Sequence, residues 1–315
     1  MENNMNKKKI FLIVFSVLIV ILIGVIGGAS AYLYNFAFEP QKPLNSTVPA
    51  KKEHRQAIDK KWLSNVKQEN WSEISAGQNL KLHAAYISAK YPTNKTIIIA
   101  HGYQENHKDM ASYIRMFHEL GYNVLAPDDR GAGQSQGKYI GFGWPDRLDY
   151  VKWIKQVVAR NGNQSEIGLF GVSMGGATVM MVSGEKLPKQ VKAIVEDSGY
   201  SSIEGELTHE LKTLFNLPKE PLITTAAWYT DIKAGFNFKD GNSLKQLRKN
   251  KLPMYFIHGG ADTFVPTKMV YQNYKATKGT KKLWVVPKAG HAMAYYEHPI
   301  EYQNRVSKFF SEYLK

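Results

Sequence analysis

A serine, an aspartate and a histidine occur in this chain where a sheet of parallel strands would bring them together. Ser173 is the centre of the sequence GVSMG, which directly follows the apolar run over residues 167–170. A buried strand that turns sharply into a helix brings backbone close to backbone, and glycine two positions on either side removes the Cβ atoms that would clash. The following helix offers free N–H groups and a dipole that favour negative charge. This pattern predicts a nucleophile for acyl transfer.

A serine hydroxyl needs a base to take its proton, and the base needs an orienting acid. Asp262 follows the apolar strand predicted over residues 254–258, and His291 follows the strand predicted over residues 282–287. Both side chains therefore belong to loops just past the carboxyl ends of strands, where catalytic groups gather in parallel sheets. Asp197, which follows an earlier predicted strand, is a second candidate for the acid. The sequence GGADTFVP around Asp262 favours Asp262.

Two further loops would complete such a site. The strand predicted over residues 96–100 runs into the sequence HGY, in which His101 is expected to shape the loop by hydrogen bonding. The backbone N–H of Tyr103, together with that of Met174, is placed to hold an oxyanion, and losing one such donor typically costs about 2.7–4 kcal/mol. The sequence DDRGAGQS over residues 128–135 follows another predicted strand, and its aspartates are expected to hold that loop by capping or ion pairing.

In their order along the chain, these landmarks resemble those of the α/β-hydrolase superfamily over roughly residues 71–315. Within the superfamily the chain is similar to bacterial membrane-anchored cell-surface hydrolases and serine esterases. The resemblance implies an α/β fold, with a mostly parallel central sheet, helices on both faces and a small helical cap. The strands that alternate with helix-length segments from residue 96 onward favour the same architecture.

The resemblance also implies roles for the site residues. Ser173 would be the nucleophile, His291 the general base and then the general acid, and Asp262 the acid that orients it. The amides of Tyr103 and Met174 would hold the oxyanion. The expected reaction is cleavage of carboxylic esters through an acyl-enzyme. A peptidase or amidase using the same residues and a non-catalytic surface binding protein are the alternatives.

The connection between residues 200 and 250 is longer than the short connections usual between strands, so it is expected to have structure of its own. In this fold an insertion here commonly forms a cap over the serine. The apolar and aromatic side chains of the connection would either line an acyl pocket or bury the cap against the body of the domain. The candidates for substrate binding are Phe215, Trp228 and Tyr229, with Leu214, Leu217 and Phe236 beside them.

The N-terminal part contains an apolar run, residues 10–26, that continues through small residues to residue 33. The stretch is long enough to cross a hydrocarbon core of roughly 30 Å. Three lysines precede it, which predicts a cytoplasmic N-terminus and an exported hydrolase portion. The sequence ASA at residues 29–31 resembles a signal-peptide cleavage site, but the run exceeds the 7–15 residues typical of signal peptides. An uncleaved anchor is therefore favoured over a secreted product.

The predicted organisation is a Lys-rich cytoplasmic tip and membrane anchor over residues 1–35, a spacer over residues 36–50 that contains three prolines, and the hydrolase domain over residues 51–315.

The composition argues against several other kinds of site. The chain has 315 residues, a net charge of +14 and no cysteine. Because no His, Asp or Glu cluster has ligand spacing and no Gly-rich phosphate loop follows a first strand, neither a metal nor a cofactor is expected. No basic run interleaved with aromatic residues suggests nucleic-acid binding. The expected partners are a small-molecule or lipid-like ester substrate and, through the N-terminal helix, a membrane.

Overall fold

The computed structural model describes residues 7–40 and 49–315, and a mostly parallel sheet runs through the described part. Its eight strands lie side by side in the order β1-β2-β4-β3-β5-β6-β7-β8. The strands are β1 (Glu69–Ile74), β2 (Lys81–Ile87), β3 (Lys95–Ala100), β4 (Asn123–Pro127), β5 (Glu166–Val172), β6 (Val191–Asp197), β7 (Met254–Gly259) and β8 (Lys281–Val286). Strands β1 and β2 form an antiparallel hairpin, β2 pairs antiparallel with β4, and the remaining pairs are parallel.

The central strands are mostly apolar and almost wholly buried because helices cover both faces of the sheet. Successive side chains of a strand point to opposite faces, so neighbours in β5 enter different cores. Leu169 packs in the core that contains Trp153. Phe170 packs in the other core, edge-on against Phe117 with ring centroids 5.1 Å apart. The predicted parallel sheet with helices on both faces is confirmed.

Eleven α-helices lie in the described residues. They are α1 (Lys7–Phe38), α2 (Ala50–Asn65), α3 (Ala111–Glu119), α4 (Asp146–Asn161), α5 (Met174–Val182), α6 (Ile203–Phe215), α7 (Leu222–Ala234), α8 (Ser243–Leu247), α9 (Lys268–Ala276), α10 (Ala294–Glu297) and α11 (Pro299–Tyr313). Residues of α4, α5, α8 and α9 pack in the core on one face of the sheet, and residues of α2, α3, α10 and α11 pack in the core on the other.

The long connection between β6 and β7 is helical and is called the cap below. It contains α6, α7, a short 3-10 turn and α8. Helix α6 begins where Ser202 accepts a hydrogen bond from the Gly205 amide, at 3.0 Å, and ends at Asn216 in the left-handed conformation. Helix α7 ends at Gly235, which has a φ of 75°. Both ends follow the ordinary rules of helix capping.

Helix α1 is long and apolar enough to cross a membrane. Its first part, from Lys7 to Val25, is exposed along its whole surface. Its last part packs against the domain through Ser30, Tyr34 and Phe38, which lie four residues apart on one face and are buried. The helix passes residue 35, at which the sequence analysis ends the anchor. Much of the predicted spacer, residues 41–48, lies outside the described residues.

The domain provides hydrogen-bond donors for the end of α1. The last carbonyl groups of a helix have no partner within it. The carbonyl oxygen of Phe38 accepts a hydrogen bond from the Ile140 amide at 2.7 Å. That of Ala37 accepts one from the Tyr103 hydroxyl at 2.9 Å. About two turns before the end of α1, the Ser30 hydroxyl lies 2.7 Å from the Thr225 hydroxyl of α7. The end of α1 is therefore an integral part of the domain.

Candidate active site

Ser173 stands at the turn between β5 and α5, in a strained backbone conformation. Its φ is 58° and its ψ is −119°, a combination that residues other than glycine rarely adopt. A Cβ atom at position 171 would overlap the carbonyl oxygen of Gly175, and one at position 175 would overlap that of Ala100. The turn therefore requires glycine at Gly171 and Gly175, which is the physical reason for the spacing in the sequence.

The structure brings His291 and Asp262 to the serine. The Oγ atom of Ser173 lies 2.8 Å from Nε2 of His291, and Nδ1 of His291 lies 2.8 Å from Oδ2 of Asp262. The other carboxylate oxygen, Oδ1, accepts hydrogen bonds from the amides of Phe264 and Val265, both at 3.0 Å. These amides fix the carboxylate, the carboxylate fixes the imidazole, and the imidazole is left with Nε2 facing the hydroxyl.

Asp262 has a second histidine partner that the sequence analysis does not place in the site. Nε2 of His258 lies 3.2 Å from Oδ2 of Asp262 and 2.9 Å from the Val265 carbonyl oxygen. Burial by itself would raise the pKa of the Asp262 carboxyl, but the hydrogen bonds from His258 and His291 hold that pKa below its ordinary value. Asp262 is therefore ionised at neutral pH.

The alternative acid, Asp197, is occupied elsewhere. Its Oδ1 accepts a hydrogen bond from the Ser198 hydroxyl at 2.9 Å, and its Oδ2 accepts one from the Tyr302 hydroxyl at 2.8 Å. Its backbone carbonyl oxygen accepts the Ser173 amide at 2.8 Å. Asp197 thus holds the turn at Ser173, whereas Asp262 contacts His291.

The two predicted oxyanion donors lie beside the serine. Met174 is the first residue of α5, where backbone N–H groups have no partner within the helix. Tyr103 follows β3 in a loop that His101 and Glu105 hold: Nδ1 of His101 donates to the Gly102 carbonyl oxygen at 2.8 Å, and the Gly102 amide donates to the Glu105 carboxylate at 3.0 Å. Within residues 7–40 and 49–315, neither the Tyr103 amide nor the Met174 amide donates a hydrogen bond.

Asp128, in the loop after β4, forms a cluster with two histidines, and both residue types can bind metals. The nitrogen atoms of His83 and His107 and the carboxylate of Asp128 lie within 4.8 Å of one another. Each Asp128 oxygen accepts a hydrogen bond from one imidazole, at 2.7 Å from His107 and 3.1 Å from His83, and each also accepts a backbone amide. These contacts make the cluster a hydrogen-bonded brace for the loop. Because its members come from three distant segments, sequence spacing gives no sign of it.

The comparisons with known proteins agree with the observed fold. The family model described as "Serine aminopeptidase, S33" matches residues 91–219. The Bacillus subtilis protein YqkD is 28% identical over 71% of this chain and 73% of its own length. The AB hydrolase superfamily protein YisY, also from Bacillus subtilis, is 25% identical over 68% of this chain and 91% of its own.

Solved structures give the same result. The Pyrococcus furiosus esterase Pf2001 has a TM-score of 0.64 and 25% identity, covering 88% of this chain and all of that one. The chain has the α/β-hydrolase fold, and the family match and the similarity to this esterase support a hydrolase of that superfamily. An acetyl xylan esterase from Thermoanaerobacterium, at 17% identity and a TM-score of 0.57, covers 84% of this chain and 94% of that one, and shares the fold.

In this α/β-hydrolase, a cavity of about 180 Å³ lies beside Ser173 and Met174. Its walls are mostly apolar, and the last turns of α1 form part of them together with the cap. The apolar lining includes Leu33, Phe36, Ala37 and Phe38 from α1 and Leu207, Leu211, Leu214, Phe215, Ile223, Ala226 and Phe238 from the cap. The contribution of α1 has no signal in the sequence, since a membrane span explains the same apolar residues.

Of the three predicted substrate-binding residues, the structure places Phe215 in the cavity wall and the other two outside it. Helix α7 turns Ile223 and Ala226 toward the cavity. At about 100° per residue, a side chain two positions after Ala226 points to the opposite side. Trp228 is accordingly 62% exposed. Tyr229 packs edge-on against Tyr34, with ring centroids 5.4 Å apart, and so holds α7 to α1.

One carboxyl group of the cavity wall is unpaired and was not predicted. Both oxygen atoms of Glu206 are buried without a hydrogen-bond partner in the described part of the chain. Burial, together with the nearby charges of Glu210 and Asp262, raises the pKa of this carboxyl to about 9. Glu206 is therefore neutral at pH 7, so this buried carboxyl adds no charge to the cavity wall. In sequence it is an ordinary acidic residue in the first turn of a helix.

Proposed function

We propose that this α/β-hydrolase cleaves carboxylic esters through an acyl-enzyme on Ser173. The observation that carries the proposal is the unbroken chain of contacts from Ser173 Oγ through the His291 imidazole to the Asp262 carboxylate, each at 2.8 Å. The Tyr103 and Met174 amides beside it supply donors for a negative oxygen. The similarity to the esterase Pf2001 supports the same substrate class.

In the acylation half of the proposed reaction, Ser173 Oγ attacks the ester carbonyl carbon while His291 Nε2 takes the hydroxyl proton. The carbonyl oxygen becomes an oxyanion and accepts hydrogen bonds from the Tyr103 and Met174 amides. The tetrahedral intermediate then collapses. The bond from carbon to the alcohol oxygen breaks, and the imidazolium gives its proton to the departing alcohol.

In the deacylation half, a water molecule attacks the acyl carbon, and His291 takes one of its protons. The bond to Ser173 Oγ breaks, the carboxylic acid leaves, and the proton returns to the serine. Asp262 stays ionised throughout because its hydrogen bonds keep its pKa low, so it stabilises the imidazolium in both halves. No step requires a cofactor.

Cleavage of amide bonds is the second candidate, since the matching family model is described as a serine aminopeptidase. The contacts from Ser173 through His291 to Asp262 and the two oxyanion donors would support amide cleavage as well as ester cleavage. The apolar wall of the cavity favours an ester of an apolar acid over a peptide with a charged terminus.

The test compares the full-length protein in detergent with its Ser173→Ala variant on 4-nitrophenyl esters and on aminoacyl 4-nitroanilides. We expect ester hydrolysis by the wild type and a loss of about 10⁴-fold or more in kcat for the variant. Greater activity on the anilides would replace the ester assignment by the amidase. A folded wild-type protein that hydrolyses neither and does not react with a fluorophosphonate would indicate the non-catalytic binding protein.

We also propose that α1 anchors the enzyme in the cell membrane with the hydrolase domain outside. The exposed apolar part, residues 10–28, extends about 28 Å at 1.5 Å per residue, close to a hydrocarbon core of roughly 30 Å. The preceding lysines favour a cytoplasmic N-terminus. The domain, residues 51–315, would then stand directly on the outer surface.

Since the chain lacks cysteine, a single introduced cysteine reports this topology. Lys90 is exposed on the domain, so Lys90→Cys should react with a membrane-impermeant maleimide in intact cells. Labelling only after lysis would refute the proposed orientation. The mass of the protein in the membrane fraction distinguishes an intact anchor from cleavage near residues 29–31.

A further inference from the structure

The last turns of α1 lie in the cavity wall, although the rest of that helix is exposed apolar surface. Leu33 and Phe36 line the cavity. Phe36 packs edge-on against Phe215 at the end of α6, with ring centroids 5.3 Å apart, and Tyr32 does the same at 6.1 Å. The exposed run of α1 therefore leads, within one helix, to the side of the candidate acyl pocket.

The cavity reaches the surface on this side. Leu214, at the end of α6, lines the cavity and is 54% exposed. Tyr32 is 58% exposed, and Leu217 in the loop after α6 is 40% exposed. Adjacent exposed apolar side chains of this kind mark binding surfaces for apolar partners. We call the opening between Leu33 and Phe36 of α1 and Leu214 of α6 the α1 mouth.

The expected distance of the α1 mouth from the hydrocarbon core is consistent with a substrate that comes from the membrane lipid. If residues 10–28 span the hydrocarbon core, Leu33 stands about 8 Å above its edge and Phe36 about 12 Å, at 1.5 Å per residue. The headgroup region occupies roughly 5–7 Å on each side of the core. Tyr32, about 6 Å above the edge, lies within the headgroup region, and Leu33 and Phe36 lie just beyond it. An acyl chain that leaves the bilayer along α1 would therefore have to rise only a few Å past the headgroups to reach the α1 mouth.

The cavity itself suits part of an apolar chain. An apolar cavity of roughly 150 Å³ is enough to take up benzene, so about 180 Å³ holds a short stretch of an acyl chain. The remainder of a long chain would pass through the α1 mouth along the helix. The cavity also reaches the surface at Phe264, whose ring lies 4.9 Å from the His291 ring. That opening, next to the general base, suits the leaving alcohol and the entering water.

We propose that the substrate is an ester of a long, apolar acyl chain drawn from the membrane leaflet through the α1 mouth, so that the anchor helix forms part of the acyl-binding site. This inference rests on the proposed ester hydrolysis at Ser173. It assigns to Leu33, Phe36 and Leu214 a role in chain-length specificity.

The experiment uses the full-length enzyme in phospholipid vesicles and two esters of one fluorogenic alcohol, the acetate and the palmitate. The variant is Leu214→Asp, which places a charge in the α1 mouth at an exposed position. The matched control is Ile232→Asp, because Ile232 belongs to the same cap, is 82% exposed and does not line the cavity. Reaction of Ser173 with a short-chain fluorophosphonate shows in each variant that the serine site is assembled.

We expect Leu214→Asp to lower the ratio of kcat/KM for palmitate to that for acetate about tenfold, and Ile232→Asp to leave that ratio unchanged. An unchanged ratio in Leu214→Asp, or an equal fall in both variants, overturns the proposed mouth. A second arm offers the palmitate either in the enzyme's own vesicles or bound to albumin in the surrounding water. Faster turnover of the vesicle-borne ester supports the membrane source, and faster turnover of the albumin-bound ester overturns it.

Failure of the underlying function gives a different result. If Ser173 hydrolyses no ester and does not react with the fluorophosphonate, the proposed function and the inference fall together. If the acetate is hydrolysed and the chain-length ratio does not respond to the α1 mouth, only the inference falls.

Discussion

The hydroxyl of Tyr103 donates a hydrogen bond to the carbonyl oxygen of Ala37, 2.9 Å away. Tyr103 belongs to the loop whose amide is proposed to hold the oxyanion, and Ala37 belongs to the last turn of the apolar helix α1. The side chain of one residue thus joins the end of the helix to the loop beside Ser173. The two parts of the molecule, which are 66 residues apart, depend on each other for their position.

Replacing Tyr103 by Phe removes this donor and leaves the Ala37 carbonyl without a partner. A buried group that loses its hydrogen bond costs about 1–3 kcal/mol, so we expect the free energy of unfolding to fall by about that amount, with a smaller kcat. Chemical denaturation in detergent and ester hydrolysis measure the two effects. Tyr91→Phe, at an exposed tyrosine, is the control and should change neither quantity. Equal stability of Tyr103→Phe and wild type would show that the contact is dispensable.

Asp262→Asn separates the two candidate acids. An amide at this position keeps the shape of the carboxylate but cannot stabilise the imidazolium, and the corresponding change in a serine protease lowers kcat about 10⁴-fold. Asp197→Asn should reduce stability, because Asp197 accepts hydrogen bonds from Ser198 and Tyr302, and should lower kcat by less than about tenfold. A larger loss of kcat in Asp197→Asn than in Asp262→Asn would reverse the assignment.

Ser173→Gly should be more stable than Ser173→Ala, although neither should hydrolyse esters. The φ of 58° and ψ of −119° are strained for any residue with a Cβ atom, at a cost of order 1–3 kcal/mol, and unstrained for glycine. Glycine loses more chain entropy on folding, so the expected net difference is about 1 kcal/mol. Denaturation midpoints of the two variants test this, and a more stable alanine variant would mean that the turn relaxes.

Glu206→Gln should raise the free energy of unfolding, and by a larger amount as the pH rises. The pKa of Glu206 is about 9 in the folded protein and about 4.3 in an unfolded chain. Between these values the unfolded chain gives up the proton and the folded protein keeps it, so rising pH favours unfolding. The advantage of the variant should therefore grow from pH 5 to pH 8, reaching about 3–4 kcal/mol at pH 7 at about 1.4 kcal/mol per pH unit. Unfolding free energies at several pH values measure it.

The exposed Glu53 provides the control for this experiment. Glu53→Gln changes the same chemical group at a position that is not buried, so its stability difference from wild type should not depend on pH. A pH-independent difference for Glu206→Gln would show that Glu206 is ionised in the folded protein.

The sequence predicts the sheet well because each central strand is an apolar run that ends in a loop with recognisable chemistry. The turn at Ser173 is predicted for a related reason, since close backbone contacts demand glycine at fixed spacing. The positions of Asp262 and His291 follow from the rule that the carboxyl ends of parallel strands meet at one edge.

The cavity wall is where sequence patterns give no guidance. Helix α7 carries apolar residues on most of its surface, so no period indicates whether Trp228 or Ala226 faces the serine. Helix α1 is apolar both because its first part could span a membrane and because its last turns pack in the domain. The sequence does not distinguish these two causes, so the packing of Phe38 could not be predicted. Glu206 and His258 are placed by tertiary contacts between distant segments, which a single sequence does not reveal.

The docking of α1 has a consequence for any water-soluble form of this enzyme. Phe38 is 2% exposed and packs on Phe142 and Phe238, with ring centroids 5.0 and 5.6 Å apart. A fragment cut after Phe38 would open one wall of the cavity and expose these rings, whereas a cut near Gly28 would remove the apolar run and spare the wall. Proteolysis after Ala31 would also leave Leu33 and Phe38 in place. Release from the membrane and retention in it would therefore leave the same cavity beside Ser173, and only the access of lipid to that cavity would differ.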